Sequence, residues 1–346
     1  MKVLLTGGAG YLGSVVTREL LVHGHEVRVL DCLLYGEKGL SELWTNDRLQ
    51  FSRGDIRSLE SIEAALEGIE AVVHLAALVG DPACARRPDL ARRTNQEASL
   101  RLFEQSHRRG IHRFLFASTC SNYGRMSNPT EHLTEESPLQ PISLYAKTKV
   151  AVEQALLGSG TSNGTSVTVL RFATLYGLSP RMRFDLTVNI LTNHAVNRGV
   201  ITVFGGSQQR PNIHIDDVAE LYVQLLEFPD ALVAGETFNA GYQNHTVADL
   251  ALLVRRVVEQ EMPEKTPIRI ETRSSNDLRS YHVSCKKIAQ RLGYTPKRTI
   301  EDAVRDLCRA FREGRLPNSL SDERYINVSM LKKLASTLLK GTEVVA

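Results

Sequence analysis

Tyr145 and Lys149 stand four residues apart in "LYAKTKVAVE", at the start of a helical pattern. That spacing puts both side chains on one helix face, about one turn apart. A tyrosine hydroxyl of pKa ~10 is a poor base at neutral pH, and a neighbouring ammonium favours its phenolate. The pair can therefore take a proton from an alcohol. A third group lies in "FASTCSNYG", where the apolar run "IHRFLFAS" stops at Ser118, Thr119, Cys120 and Ser121. The run predicts a strand, and Thr119 falls just past its carboxyl end. There its hydroxyl can bond both the Tyr145 phenol and a substrate hydroxyl. Cys120 adds a thiol, which moves a proton only if it faces the substrate with a pKa near neutrality. Otherwise it is a small buried hydrophobe. Cys84 in "LVGDPACARRP" is a second thiol, and Asp81 in the same loop either meets a substrate hydroxyl or caps the turn before Pro82.

A second constellation opens the chain. "LLTGGAGYLG" places Gly7, Gly10 and Gly13 between a strand and a helix, with Tyr11 and Leu12 at the turn. Glycines there allow a tight turn and close backbone approach, and the helix N-terminus offers N–H groups to a pyrophosphate. The next strand, "HEVRVLD", ends in Asp31, placed to bind the adenosine ribose hydroxyls of a dinucleotide. A carboxylate there repels a 2′-phosphate, and no arginine or lysine follows immediately. NAD is favoured over NADP.

These groups need elements to hold them. Strands are expected at Lys2–Thr6, Glu26–Leu30, Leu49–Ser52, Ala71–Ala76, Arg113–Ala117 and Val167–Arg171, with helical spacing between them. Such alternation predicts an α/β fold with a Rossmann-type, doubly wound parallel sheet, whose ligands sit outside the carboxyl ends of the strands. The segment "LLGSGTSNGTS" reads as a loop. Beyond Phe172 the alternation decays, and helices follow near Val218–Leu226, Val247–Glu261 and Ile300–Arg312. The reading is a dinucleotide-binding domain over 1–172, a smaller mixed α/β substrate lobe over 173–312, and a peripheral tail over 313–346. A stretch near 205–235 is expected to thread back onto the first domain.

Composition narrows the class. The 346 residues are 42% hydrophobic and 23% charged with a net charge of +3, and no long basic run argues for nucleic acid or membrane. Five cysteines without close pairs suggest neither a disulfide framework nor a metal site. "MKVLLTGG" is too short an apolar run for a signal peptide or membrane helix, so a cytoplasmic protein is expected.

With these motifs the chain resembles the extended short-chain dehydrogenase/reductases, specifically the NAD-dependent nucleotide-sugar epimerase/dehydratase group. The match runs from about Lys2 to Ala303. It rests on "TGGAGYLG", "GDIR", "HLAA", "TNQEA", "STCSNYG", "YAKTK", "LRFATLYG", "QQRPNIHIDD" and "DLRSY" in that order. The resemblance implies that Asp55 and Ile56 flank the adenine and that Leu75, Ala76 and Ala77 line the cofactor. It implies that Asn95 bridges strand and helix nearby, and that Thr119, Tyr145 and Lys149 are catalytic. Ser121, Asn122, Thr174, Asn189, Arg210 and Arg279 are implied substrate contacts, although Thr174 stands where many relatives carry asparagine. It also implies a homodimer through the helices around Glu97–His107 and Tyr145–Leu157.

The implied chemistry begins when Tyr145 takes a proton from a nucleotide-diphosphate sugar, usually at its 4-hydroxyl. Sugar 4,6-dehydratases of this group carry an Asp-Glu pair after the catalytic hydroxyl, where this chain has Cys120 and Ser121. A thiol occurs in related 3,5-epimerases one residue later, at the position of Ser121. The leading expectation is an NAD-dependent epimerase acting at C4 through a transient 4-keto sugar. The alternatives are a 4-ketoreductase or dehydrogenase, a 4,6-dehydratase, and a non-catalytic dinucleotide sensor.

Overall fold

The computed structural model describes residues 1–126, 131–159, 164–275, 277 and 279–332. Six strands of the first half are β1 (Lys2–Thr6), β2 (Glu26–Asp31), β3 (Leu49–Arg53), β4 (Ala71–His74), β5 (Arg113–Thr119) and β6 (Ser166–Phe172). They alternate with α1 (Tyr11–Val22), α2 (Leu59–Ala65), α3 (Asp81–Arg86), α4 (Pro88–Arg92), α5 (Ala98–Arg108) and α6 (Leu144–Gly158). The second half comprises β7 (Thr174–Tyr176), α7 (Thr187–Arg198), β8 (Val200–Phe204), β9 (Gln209–His214), α8 (Ile215–Glu227), α9 (Asp230–Val233) and β10 (Glu236–Ala240). It ends with β11 (Gln243–Thr246), α10 (Val247–Glu261), β12 (Arg269–Arg273), α11 (Lys286–Leu292) and α12 (Ile300–Arg312).

The main sheet is parallel, in the order β10-β6-β5-β4-β1-β2-β3. Its strands read as nearly unbroken apolar runs because both faces are covered. Val3 and Leu5 of β1 join one core with Val15 and Leu20 of α1 and Val218 and Leu221 of α8. Leu4, pointing the other way, joins Ile62 of α2, Leu102 of α5 and Val152 of α6. Later in the chain, α8 packs on α1 and β10 pairs with β6. A separate core gathers Val188, Ile201, Leu250, Val254 and Val304 from α7, β8, α10 and α12.

Several boundaries differ from expectation by one to three residues, β4 ending at His74 rather than Ala76 among them, and two differences bear on the site. Strand β5 continues two residues beyond Ala117, because β6 runs alongside it and pairs Ser118 with Arg171 and Thr119 with Phe172. Thr119 is therefore the last residue of the strand. The tail is not peripheral where it is described: Leu316, Tyr325, Asn327 and Leu331 are buried, and Phe184 N donates to Tyr325 O at 2.9 Å. The expected glycine- and serine-rich loop lies partly outside the described residues.

Candidate active site

The carboxyl ends of β1, β2, β4, β5 and β6 open onto one crevice, closed on its far side by the segment after β7. Gly7 leaves β1 at φ +75°, and a Cβ on it would stand 2.8 Å from the Ala76 backbone. A Cβ on Gly13 would lie 2.0 Å from the Gly7 carbonyl oxygen, so α1 can begin this close to the strand only with glycine there. Gly10, the N-cap of α1, offers no side chain to the first N–H groups of the helix. Those amides suit an anion in the crevice that Gly10, Tyr11 and Leu12 line.

Asp31 ends β2 and faces the same space. Its Oδ2 accepts from Ala9 N at 3.0 Å and its Oδ1 from Leu33 N at 2.8 Å. Burial outweighs these bonds and raises its carboxyl above the usual range. Burial also pushes Asp55 up, but the Arg57 side chain and amide win and hold it low. Asp55, Ile56, Leu75, Ala76 and Ala77 all line the crevice. Asn95 does not. It is carried on a π-helical turn (93–97), where its Oδ1 accepts from Leu78 N at 2.7 Å and its Nδ2 donates to Leu78 O at 2.9 Å. It clamps the loop after β4 and acts on the crevice through that loop.

Thr119, Ser121, Tyr145, Lys149 and Thr174 line the crevice together. Thr119 Oγ1 accepts from Ser121 N at 3.1 Å, which starts a 3-10 turn over Cys120–Tyr123. The Tyr–Lys spacing delivers one shared face, but the ammonium aims elsewhere. Lys149 Nζ donates to Ala117 O at 2.7 Å and lies 4.6 Å from the Phe116 ring centroid. Burial brings Lys149 down to about 8. Burial raises the Tyr145 phenol, Cys84 and Asp81 add to that, and Arg183 opposes it. The expected acidification of Tyr145 by Lys149 is not what the side chains display.

Several expected contacts are turned away. Cys120 Sγ donates to Arg171 O at 3.1 Å and is buried, which raises its thiol far from neutrality. Cys84 donates to Leu78 O at 3.2 Å, and burial pushes it up to about 12. Neither thiol meets the condition for proton transfer. Asn122 is buried beneath the turn, with Nδ2 donating to Ser118 Oγ at 3.0 Å and Glu153 Oε2 at 3.2 Å. Asn189 is fully buried, accepting from Gly177 N at 3.1 Å and donating to Tyr11 OH at 3.0 Å. It fixes Tyr11 rather than facing the crevice. Arg210 and Arg279 lie outside the wall. Arg210 Nη2 donates to Asp277 Oδ2 at 2.8 Å, while Arg279 pairs with Asp277 and with Asp81 of α3. Asp81 thus ties α3 to Arg279 and is not among the residues lining the crevice, although its charge reaches Tyr145.

Sequence reasoning missed several wall residues, Tyr35, Arg181, Arg183, Tyr281 and Asn327 among them. Tyr281 OH shares a hydrogen bond with Ser121 Oγ at 3.1 Å; it lies in the quoted "DLRSY" without an assigned role. Arg181, Arg183 and Asn327 also line the crevice. The signal for the first two was "SPRMRFD", two arginines on a proline-containing loop at a strand exit.

A family model described as the NAD dependent epimerase/dehydratase family matches residues 3–241. The chain belongs to this family. Across their lengths, it is 30% identical to a UDP-glucose 4-epimerase of Corynebacterium glutamicum, covering 88% of this chain and 94% of that one. Its fold is similar to a UDP-glucose 4-epimerase of Thermotoga maritima solved with UDP-glucose, with TM-score 0.78 and 29% identity over 91% of this chain and 100% of the other. It is also similar to a dTDP-glucose 4,6-dehydratase of Streptomyces venezuelae solved with NAD, with TM-score 0.80 and 26% identity over 91% and 98%. As an NAD-dependent epimerase/dehydratase, the protein takes NAD as cofactor. The residues present fit it: a carboxylate for ribose hydroxyls, a glycine cradle too tight for a Cβ, and unpartnered buried polar atoms of Tyr35 and Arg181 in the wall. Among the described residues no helix is long and apolar enough to cross a membrane, and no cluster of metal-ligating side chains occurs.

Proposed function

We propose that this family member is a nucleotide-sugar 4-epimerase that works through a transient 4-keto sugar. Tyr145 takes the proton of the 4-hydroxyl and later returns it, while Thr119 bonds the same hydroxyl and orients it. Lys149, anchored on Ala117, fixes the end of β5 against α6. Bound NAD supplies a hydride acceptor, a hydride donor and, when oxidised, a positive ring charge that favours the phenolate. Arg183 opposes the burial that raises the Tyr145 phenol, whereas Lys149 is engaged with Ala117 O.

One observation carries the choice of reaction. Among the described residues lining the crevice, the carboxylates are Asp31 and Asp55, both at the dinucleotide end. No acid–base carboxylate pair accompanies Thr119 and Tyr145, so eliminating water from the sugar lacks its groups. Returning hydride to the opposite face of C4 needs none. A UDP-hexose is the first substrate to test, since relatives carry UDP-glucose in their names. Arg210, whose guanidinium lies 5.9 Å from the ring centroid of Tyr281 in the crevice wall, and Arg279 would meet the diphosphate only by giving up their pairs with Asp277 and Asp81. A cytoplasmic homodimer through α5 and α6 completes the reading, supported by half-buried Leu100, Phe103 and Leu157 on these adjacent helices.

The test is incubation of UDP-glucose, UDP-galactose, UDP-N-acetylglucosamine and dTDP-glucose with the enzyme in heavy water, without added cofactor. Inversion at C4 with no deuterium at C3 or C5 is the expected result. Loss of water, label at carbon, or stoichiometric consumption of dinucleotide rejects the reading. Tyr145→Phe should lower turnover by about 10²–10⁴-fold while NAD stays bound.

A further inference from the structure

We propose that Tyr35 and Arg181 clasp the adenosine-side phosphate of NAD, and that Asn327 braces the clasp. The two residues come from distant parts of the chain, the loop after β2 and the loop after β7, and meet in the crevice wall. The Arg181 guanidinium lies 4.2 Å from the Tyr35 ring centroid. Both carry an unmet hydrogen bond: Arg181 Nε and the Tyr35 hydroxyl are buried with no partner. Buried polar atoms are rarely left so, and where several converge on a cavity they point to what the cavity holds.

The kind of ligand follows from the donors. An arginine nitrogen can only donate, and a buried tyrosine hydroxyl beside it has its proton to give. Their common complement is an acceptor without a competing proton, such as a phosphate oxygen. The cation itself is short of anions. Arg181 is 4% exposed, forms no ion pair among the described residues, and donates only to the neutral Asn327 Oδ1, at 2.6 Å. The nearby Asp185 is occupied by Arg183 Nε at 2.8 Å and Asn327 N at 3.1 Å. Burial, with Arg183 adding to it, presses Arg181 down to about 10, as expected of a guanidinium without a carboxylate of its own. Tyr35 follows Asp31 by four residues in the loop after β2, both line the crevice, and Arg181 lies against the Tyr35 ring, so the clasp stands at the adenosine end of the crevice. Asp31 suits the ribose hydroxyls there, which leaves a phosphate for the arginine.

The inference rests on the family's dinucleotide and not on the sugar reaction, so its test needs no sugar. Full-length protein and its Arg181→Met and Tyr35→Phe variants are compared for NAD retained after dialysis. Calorimetric titrations of the dialysed proteins then use NAD, NADP, 5′-AMP and adenosine. Arg181→Met should weaken NAD and 5′-AMP by about tenfold or more and leave adenosine within about twofold. Tyr35→Phe, which removes one oxygen, should show the same pattern to a smaller degree. Equal losses for adenosine and 5′-AMP would mean a merely structural arginine and overturn the proposal. Unchanged NAD affinity in both variants overturns it too. So does tighter binding of NADP than NAD with the loss confined to NADP, which would place a 2′-phosphate on Arg181.

Discussion

A lysine that the spacing assigns to a phenol is found holding a carbonyl. The ammonium of Lys149 is buried, and burial lowers its pKa to about 8 from an ordinary value of 10.5. Between those two values the unfolded chain binds more protons than the folded one, so stability rises with pH across that window. Below pH 8 the full penalty is present, at most about 3 kcal/mol by linkage, offset by about 1.5–3 kcal/mol from the charged bond to Ala117 O. Lys149→Met should therefore lose nothing and gain up to about 1.5 kcal/mol in urea denaturation at pH 7, and any gain should vanish toward pH 10.5. Turnover should fall in the same protein. A variant that loses stability at pH 7 would show that the carbonyl bond outweighs the burial cost. The sequence made the Tyr–Lys pair legible because helical spacing alone fixes which residues share a face. It could not give the aim of a four-carbon side chain, which is decided by an acceptor on β5.

At the scale of elements, the strands and helices were readable wherever the apolar period was strong. Lys2–Thr6, Val247–Glu261 and Ile300–Arg312 match the structure end to end. The end of β5 was not readable, because polar residues there pair with β6 through a buried ion pair that composition does not announce. Glu153 of α6 accepts from Arg171 Nε of β6 at 2.9 Å and from Ser118 Oγ at 2.9 Å. Arg171 also reaches Tyr123 OH at 2.9 Å, and that hydroxyl donates to Asn239 Oδ1 of β10 at 2.7 Å. Asn122 was misjudged for the same reason, since its side chain serves this network. One charge of the pair alone is costly in a buried site, whereas replacing both by apolar groups is often neutral. Glu153→Gln should lose about 3–5 kcal/mol of unfolding free energy, and Glu153→Met with Arg171→Met should recover most of it. A double variant as unstable as the single would mean that the hydroxyl and amide partners, not the charges, hold the end of β5.

At the scale of the whole molecule, a C-terminal segment that the sequence reading placed at the periphery packs on both halves of the chain: Leu331 joins Leu78, Ala83 and Ala91, and Tyr325 meets Phe184. Its polar composition hid the few residues that matter, Leu316, Tyr325, Asn327 and Leu331, which are spaced irregularly and buried. The Tyr325 ring packs 5.1 Å from Phe184, and two residues later Asn327 accepts from Arg181 in the crevice wall. Folding stability and cofactor retention are thereby tied together at this segment and separable elsewhere. Tyr325→Ala and Leu250→Ala both remove a large buried side chain, the second from the core shared by α7, β8, α10 and α12, and each should cost about 3 kcal/mol. At a temperature where both variants remain folded, only Tyr325→Ala should release NAD on gel filtration, because only that change loosens the segment carrying Asn327. Equal retention in the two would show that the segment stabilises the fold without reaching the dinucleotide. Release from both would make the loss a consequence of general instability, and the link between segment and crevice would have to be abandoned.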